Sequence, residues 1–82
     1  MFEAILIANR GEIALRVMRS AQRMGVRCIA VYSDVDQNAQ FVLKADHAVH
    51  IGGALPAQSY LCGDKIITAA LNSGAQAIHP GY

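Results

Sequence analysis

Short apolar runs alternate with segments of helical spacing along this sequence, and that alternation constrains the fold more than any other feature. Strands are predicted at residues 3–9, 27–33, 47–51 and 76–79. Helices are predicted between them, at residues 10–24, 39–44 and 63–73. The first two runs are continuously apolar, which is typical of parallel strands covered on both faces. The order predicts an α/β fold: a Rossmann-like, three-layer half-sheet of about four parallel strands flanked by helices.

The first predicted helix, residues 10–24, has an apolar side that we expect to pack on the sheet. The residues on that side are Ile13, Val17, Ala21 and Met24. Asn9, followed three residues later by Glu12, predicts an N-capping pair at the helix start. Gly25 and Gly74 are predicted to end the first and last helices.

The composition indicates whether a fold of this size can stand alone. Of the 82 residues, 54% are apolar and 16% charged, against about 45–50% and about 25% in ordinary domains. This excludes a disordered segment. A domain of this size cannot bury that much apolar surface. We therefore expect residues 1–82 to be one domain of a larger protein, with another domain covering part of the sheet.

The net charge, the two cysteines and the N-terminal sequence disfavour several functional classes. A net charge of +1 gives no basic field for nucleic acid. Two cysteines make neither a disulfide framework nor a zinc motif. The longest apolar run near the N-terminus, residues 4–8, is far too short for a membrane span. We expect a reducing compartment, the cytoplasm, and no membrane or nucleic-acid partner.

The turn after the first strand could be read as a dinucleotide site. Arg10 and Gly11 stand at the helix start, and Asp34 ends the second strand 23 residues after Gly11. That offset resembles the spacing of a ribose-binding acid in dinucleotide folds. However, the fingerprint requires three glycines, and only Gly11 is present. The sequence favours a capped helix start over a nucleotide site.

A basic stripe lies along the first predicted helix. Arg16, Arg19 and Arg23 follow Glu12 at intervals that place all four on one face, with Glu12 and Arg16 spaced as an ion pair. A solvated surface is one interpretation of the stripe. A subunit interface that permits self-association is the other. No aromatic residue is interleaved, which disfavours nucleic-acid binding.

The remaining polar and sulfur-containing candidates fit structural roles. The set comprises Cys28, Cys62, Asp34, Asp36, His47 and His50. The cysteines lack a nearby base and are expected to fill space. The two aspartates suit a turn, and the two histidines, three apart in a strand, are expected to face opposite sides. We predict no metal site and no catalytic residue among them.

The last predicted strand runs into the sequence His79-Pro80-Gly81-Tyr82. It falls at the same edge of the sheet as the turn around Asn9, where parallel sheets bind ligands. Pro80 and Gly81 favour a tight turn that directs His79 and Tyr82 toward the crevice. A plain strand-to-loop turn is the alternative interpretation.

Three collinear motifs give the sequence a family resemblance. They are Ile-Ala-Asn-Arg-Gly-Glu-Ile-Ala at 7–14, Ser-Tyr-Leu at 59–61 and Ala-Ile-His-Pro-Gly-Tyr at 77–82. Together with Ala-Val-Tyr-Ser-Asp at 30–34, they resemble the N-terminal domain of biotin carboxylases. Among these, the acyl-CoA carboxylase subunits are most similar, the methylcrotonyl-CoA type especially.

The resemblance implies an ATP-dependent ligase that uses bicarbonate, with Mg²⁺, to carboxylate the ureido nitrogen of biotin on a carrier domain. It implies that an ATP-grasp domain holds the catalytic groups, that a carboxyltransferase subunit follows, and that residues 1–82 alone are inactive. It implies a cytoplasmic or, in a eukaryote, mitochondrial-matrix enzyme. Tyr82 matches a residue beside the biotin site, in a turn shaped by His79 and Gly81.

The resemblance also bears on the basic stripe. Arg16 and Arg19 match positions at the dimer interface of homodimeric bacterial members. Those members commonly carry an acid where this chain has Arg23, and a like charge there would repel a basic partner surface. Gly53, in the predicted loop 52–56, replaces a frequent proline and loosens that loop. A stand-alone dinucleotide-binding or protein-interaction module remains the alternative to the carboxylase function.

Overall fold

The structure is a computed structural model that describes residues 3–53, 59 and 62–80. The strands are β1 Ala4–Ile7, β2 Arg27–Ser33, β3 His47–Gly52 and β4 Ala77–His79. The helices are α1 Gly11–Arg23, α2 Gln40–Lys44 and α3 Gly63–Ser73, with a short 3-10 helix at Asp34–Asp36. The predicted α/β fold is confirmed, and part of the predicted loop 52–56 lies outside the described residues.

The sheet is fully parallel, with the strand order β3-β2-β1-β4. The chain moves from β1 through β2 to β3 in one direction and then returns to place β4 on the other side of β1. Because such crossovers are right-handed, α1 and α2 cover one face of the sheet and α3 covers the other. The direction in which successive strands are added to the sheet therefore reverses between β1 and β4.

The core lies between the sheet and its helices. Buried side chains of the strands include Leu6, Ile7, Ile29 and Val31. The helices contribute Ala14 and Met18 from α1, Phe41 from α2, and Ile66, Ala69 and Ala70 from α3. Continuous burial along β1 and β2 explains why their sequences do not alternate, since helices cover both faces.

The face of α1 that packs on the sheet differs from the prediction. Met18 is 1% exposed and Ala14 is also buried, whereas Ile13 and Met24 are 57% and 60% exposed. Val17 and Ala21, assigned to the same apolar side, pack only partly against the core. The prediction was wrong because α1 carries two apolar stripes, and the one that contains Ala14 and Met18 packs on the sheet.

The predicted capping pair is also wrong. The N-cap of α1 is Arg10, with an extended backbone and no side-chain hydrogen bond to the helix start. Asn9 lies one residue earlier and directs its amide across the sheet. The helix ends, in contrast, agree with the prediction: Gly25 and Gly74 have φ angles of 80° and 78°, a conformation that favours glycine.

Among the described residues, no helix is long and apolar enough to cross a membrane.

Candidate functional site

The candidate site is the edge of the sheet where β1 and β4 end side by side. Strands β1 and β4 are parallel, but the order in which strands are added to the sheet reverses between them. Open parallel sheets bind ligands in the crevice at such a point. Asn9 and Arg10 follow β1, and His79 and Pro80 complete and follow β4. The predicted juxtaposition of His79 with the Asn9 turn is therefore present.

A side-chain bridge crosses this crevice. The Nδ2 atom of Asn9 lies 3.1 Å from Nδ1 of His79 and 3.1 Å from the carbonyl oxygen of Pro80. Asn9 is only 6% exposed. A backbone hydrogen bond between the two strands, from the Ala8 amide to the His79 carbonyl at 2.9 Å, lies directly beside it. The bridge therefore adds a side-chain connection between the end of β1 and the end of β4.

The amide of Asn9 is the donor in this bridge. The Pro80 carbonyl can only accept a hydrogen bond, so the Asn9 group beside it must be the NH₂. That same nitrogen contacts Nδ1 of His79, which is therefore placed as an acceptor.

Arg10 is held by a second pair of contacts at the same edge. Its Nη2 atom lies 2.9 Å from both Oδ1 and Oδ2 of Asp36, the last residue of the 3-10 helix after β2. The hydroxyl of Ser33, which ends β2, donates to Oδ2 of Asp36 at 3.4 Å. Asp36 thus balances the positive charge that the sequence places in the crevice.

A further polar pair joins the ends of β2 and β3. The imidazole of His50 contacts the carboxylate of Asp34 through Nε2, and both side chains are exposed. The ring of His50 also lies 5.4 Å from the ring of Tyr32, measured between centroids. Within residues 3–53, 59 and 62–80, no three side chains of the metal-binding types are grouped.

The predicted basic stripe lies on the exposed surface of α1. Arg16, Arg19 and Arg23 are all exposed. The Nη1 atom of Arg19 lies 3.8 Å from Oε1 of Glu12, so Glu12 contacts Arg19 instead of the predicted Arg16. Arg16 borders a groove whose other lining residues include Ile13, Val17, Ser20, Met24 and His79. The groove therefore connects the stripe with the end of β4.

The two cysteines occupy the structural positions predicted for them. Cys28 is buried in β2, where its Sγ lies 3.8 Å from the carbonyl oxygens of Met18 and Val26. Burial raises the pKa of its thiol, and the nearby carboxylate of Asp46 raises it further. Cys62 is half-buried and precedes α3.

Two of the candidate residues, Gly81 and Tyr82, lie outside the described residues, as do two residues of the Ser-Tyr-Leu motif, Tyr60 and Leu61. The structure instead reveals two roles that the sequence interpretation missed: Asn9 as a bridge between strands and Asp36 as the partner of Arg10. The available signal was positional, since all of these residues follow the carboxyl ends of neighbouring strands.

Comparison with known proteins assigns a family to this arrangement. The family model "Biotin carboxylase, N-terminal domain" matches residues 1–82. The chain is 62% identical over 95% of its length to the alpha subunit of the mitochondrial methylcrotonoyl-CoA carboxylase of Dictyostelium discoideum. It is 55% identical over its whole length to a pyruvate carboxylase subunit of Methanothermobacter thermautotrophicus.

A solved structure shows the same fold. The biotin carboxylase domain of the Hydrogenobacter thermophilus 2-oxoglutarate carboxylase, a dimer in complex with MgADP, ADP and bicarbonate, superposes with a TM-score of 0.90 at 44% identity. It covers 100% of the chain, which in turn spans 18% of that protein. The chain likewise spans only 17% and 11% of the two curated relatives.

Proposed function

The chain belongs to the family of biotin carboxylase N-terminal domains, and we propose from this membership the reaction in which it takes part. The parent protein uses ATP, Mg²⁺ and bicarbonate to carboxylate the ureido nitrogen of biotin carried on a partner domain. The match over the whole chain, with the Hydrogenobacter domain bound to MgADP and bicarbonate, is the observation that carries this proposal.

The described residues of this domain do not fit ATP or Mg²⁺ on their own. The crevice between β1 and β4 is bridged by Asn9, and the guanidinium of Arg10 is held by Asp36. The helix start there has one glycine, Gly11, where a dinucleotide fingerprint has three. By family resemblance, we place nucleotide binding and the catalytic groups in an ATP-grasp domain of the parent chain.

The contribution of this domain is the turn that follows β4. By family resemblance, Tyr82 lies beside the bound biotin, and His79 and Gly81 shape the turn that carries it. His79 is the described member of this set; it is the last residue of β4, and its side chain contacts Asn9. On this proposal the domain forms one wall of the biotin site and supplies no catalytic group.

Exposed apolar side chains support a place within a larger assembly. Ile13 and Met24 on α1, Ile67 and Leu71 on α3, and Ile78 on β4 are large hydrophobic residues exposed to solvent. We propose that part of this surface packs on the ATP-grasp domain. The further partners are a biotin carboxyl carrier domain and a carboxyltransferase subunit, in the cytoplasm or, in a eukaryote, the mitochondrial matrix.

The acceptor of the carboxyl group is selected outside this domain. Relatives named for pyruvate and for methylcrotonoyl-CoA are 55% and 62% identical to the chain. Other methylcrotonoyl-CoA carboxylase subunits are only 55% and 56% identical to the chain, as the pyruvate and propionyl-CoA relatives are, so identity does not select an acceptor and the methylcrotonoyl-CoA type stays a prediction.

The function is tested in the parent protein by following ADP release with bicarbonate and free biotin. We expect release to depend on both compounds. Tyr82→Ala is expected to raise the KM for biotin about tenfold, as the loss of one apolar contact does, while the KM for ATP stays unchanged. Tyr32→Ala, which alters a tyrosine of β2 on the opposite side of β1 from β4, is the matched control. An equal rate of ADP release with and without biotin would contradict the proposal.

Self-association through α1 is a second role that one observation favours. The basic stripe of Arg16, Arg19 and Arg23 borders the apolar groove that contains Ile13 and Met24. Arginine beside exposed apolar surface is typical of protein interfaces. Arg23 adds a further positive charge to the stripe. It would repel a basic surface on a second copy, which disfavours pairing of two copies through their basic stripes.

A further inference from the structure

We propose that helix α1 binds an acidic, amphipathic segment of a separate protein chain. The surface, called the α1 groove below, contains Ile13 and Met24 and has the basic stripe on its rim. The inference goes beyond the proposed reaction, because it rests on the surface of α1 and not on the chemistry of the parent protein.

Apolar side chains at the two ends of the α1 groove are exposed. Ile13 and Met24 are both more than half exposed, although each is a large hydrophobic residue. Val17 and Ala21 lie between them in the groove and are only partly buried against the core. Ile13 and Met24 are eleven positions apart, which is about 16 Å, or about three turns, along a helix. The groove therefore matches a short helical segment that contributes apolar side chains.

Positive charge is concentrated on the rim of the groove. Helix α1 contains three arginines and one glutamate, a net charge of +2, whereas the whole chain has a net charge of +1. Glu12 is within ion-pair distance of Arg19. Arg16 and Arg23 have no ion-pair partner within residues 3–53, 59 and 62–80. Two such guanidinium groups beside exposed apolar side chains are complementary to a segment that carries Asp or Glu next to its own apolar residues.

A second copy of the chain does not offer this complement through the same face. In a symmetric dimer the same patch of both copies meets, so Arg16 and Arg23 of one copy would approach those of the other. Like charges in such a contact oppose association. Nucleic acid also fits poorly, because its phosphate groups would pair with the arginines and leave Ile13 and Met24 without apolar partners.

The charge on the rim favours a separate chain over another domain of the same chain. Electrostatic complementarity mainly raises the rate at which two molecules meet and excludes wrong partners. A tethered domain is already present at a high effective concentration and gains little from such attraction. Helix α3, with exposed Ile67 and Leu71, has one acid and one base, Asp64 and Lys65. That surface suits the contact within the parent chain, and the α1 groove suits a separate acidic partner.

The test is photo-crosslinking in the full-length parent protein, isolated together with the chains with which it assembles. Ser20 is exposed in the α1 groove, so benzoylphenylalanine in its place puts a photoreactive group there. We expect a cross-link to a separate chain. Mass spectrometry should locate it in a segment with several Asp or Glu residues next to apolar residues. The same photoreactive group in place of Asn38, an exposed residue outside the groove, should not label that segment.

Charge reversal tests the electrostatic part of the proposal. Arg16→Glu combined with Arg23→Glu should reduce the cross-link from position 20 more than about tenfold, because the rim then repels an acidic segment. Arg27→Glu, the same change at an exposed arginine outside the groove, should leave the cross-link unchanged. Lysine in place of the acidic residues of the labelled segment should restore the cross-link in the double variant. Circular dichroism checks that each variant is folded.

Four results would overturn the proposal. They are a cross-link to helix α1 of a second copy, a cross-link within the same chain, a cross-link to a segment without acidic residues, and no cross-link to any protein in the folded, assembled parent. A cross-link to an acidic segment that survives the charge reversal at Arg16 and Arg23 would also overturn it, because the arginines would then not select the partner.

Discussion

Arg10 and Asp36 form an ion pair across the carboxyl edge of the sheet, with Nη2 of Arg10 2.9 Å from both carboxylate oxygens. Arg10 follows β1 and Asp36 closes the 3-10 helix after β2, so the pair joins the ends of two neighbouring strands. The side chains are 37% and 13% exposed, which makes the contact stronger than a surface ion pair.

Asp36→Asn should therefore lower the free energy of unfolding by about 1–2 kcal/mol, because it leaves a partly buried guanidinium with a weaker partner. Urea unfolding measures the change. Asp34→Asn is the matched control, since Asp34 also contacts one side chain, the imidazole of His50, but is exposed, and it should cost less than about 1 kcal/mol. Equal losses in both variants would contradict the structural importance of the Arg10–Asp36 pair.

Two methionines of α1 test which face of the helix packs on the sheet. Met18 is 1% exposed and Met24 is 60% exposed. Met18→Ala should lower the free energy of unfolding by about 2–5 kcal/mol, the usual cost of a buried methionine. Met24→Ala should change it by less than about 0.5 kcal/mol, as at most surface sites. Thermal or urea unfolding of both variants decides between the two faces, and a larger loss at Met24 would reverse the assignment.

The raised pKa of the Cys28 thiol predicts that the free energy of unfolding falls at alkaline pH. Its pKa is raised, mainly by burial and then by Asp46, so the folded state retains the proton more strongly than the unfolded state. This contribution to stability is complete below the thiol pKa of the unfolded chain, about 8.5, and is lost as the pH rises through the folded value. Cys28→Ala should remove it.

Urea unfolding at pH 7 and pH 9.5 measures this effect. The free energy of unfolding should fall more between the two pH values in the wild-type protein than in Cys28→Ala. Cys62→Ala, which alters a half-buried cysteine, should behave like the wild-type protein. The same fall in all three proteins would show that the Cys28 thiol does not contribute.

The basic stripe makes a prediction about assembly. If α1 is an interface, Arg16→Glu combined with Arg23→Glu reverses two charges beside the groove and should convert associated protein to monomer. Sedimentation velocity at several concentrations measures the change. Arg27→Glu, an exposed arginine at the start of β2, is the control and should leave the profile unchanged. An unchanged profile in the double variant would leave the stripe as a solvated surface.

Local sequence signals predicted the elements well. The predicted ranges 27–33 and 63–73 are the observed β2 and α3, because a continuous apolar run and a following Gly74 depend on neighbouring residues alone. The parallel sheet also follows from alternation and crossover handedness.

The errors arose where a residue has two possible partners. Helix α1 has two apolar stripes, and spacing alone cannot show which one packs on the sheet and which is left exposed, as Ile13 is. Asn9 matched a local capping pattern with Glu12, but its partner His79 is 70 residues away. Contacts between distant segments decide such positions, and a local pattern does not contain them.

The crevice between β1 and β4 is occupied by the domain's own Asn9 bridge. On the proposed function, this domain therefore supports the biotin turn and leaves nucleotide binding to other parts of the parent protein. Isothermal titration calorimetry of residues 1–82 with ATP, with and without Mg²⁺, and with NAD measures this directly. We predict no saturable heat for any of the three titrations. Saturable binding of ATP or NAD to residues 1–82 would show that the crevice is open to a nucleotide after all.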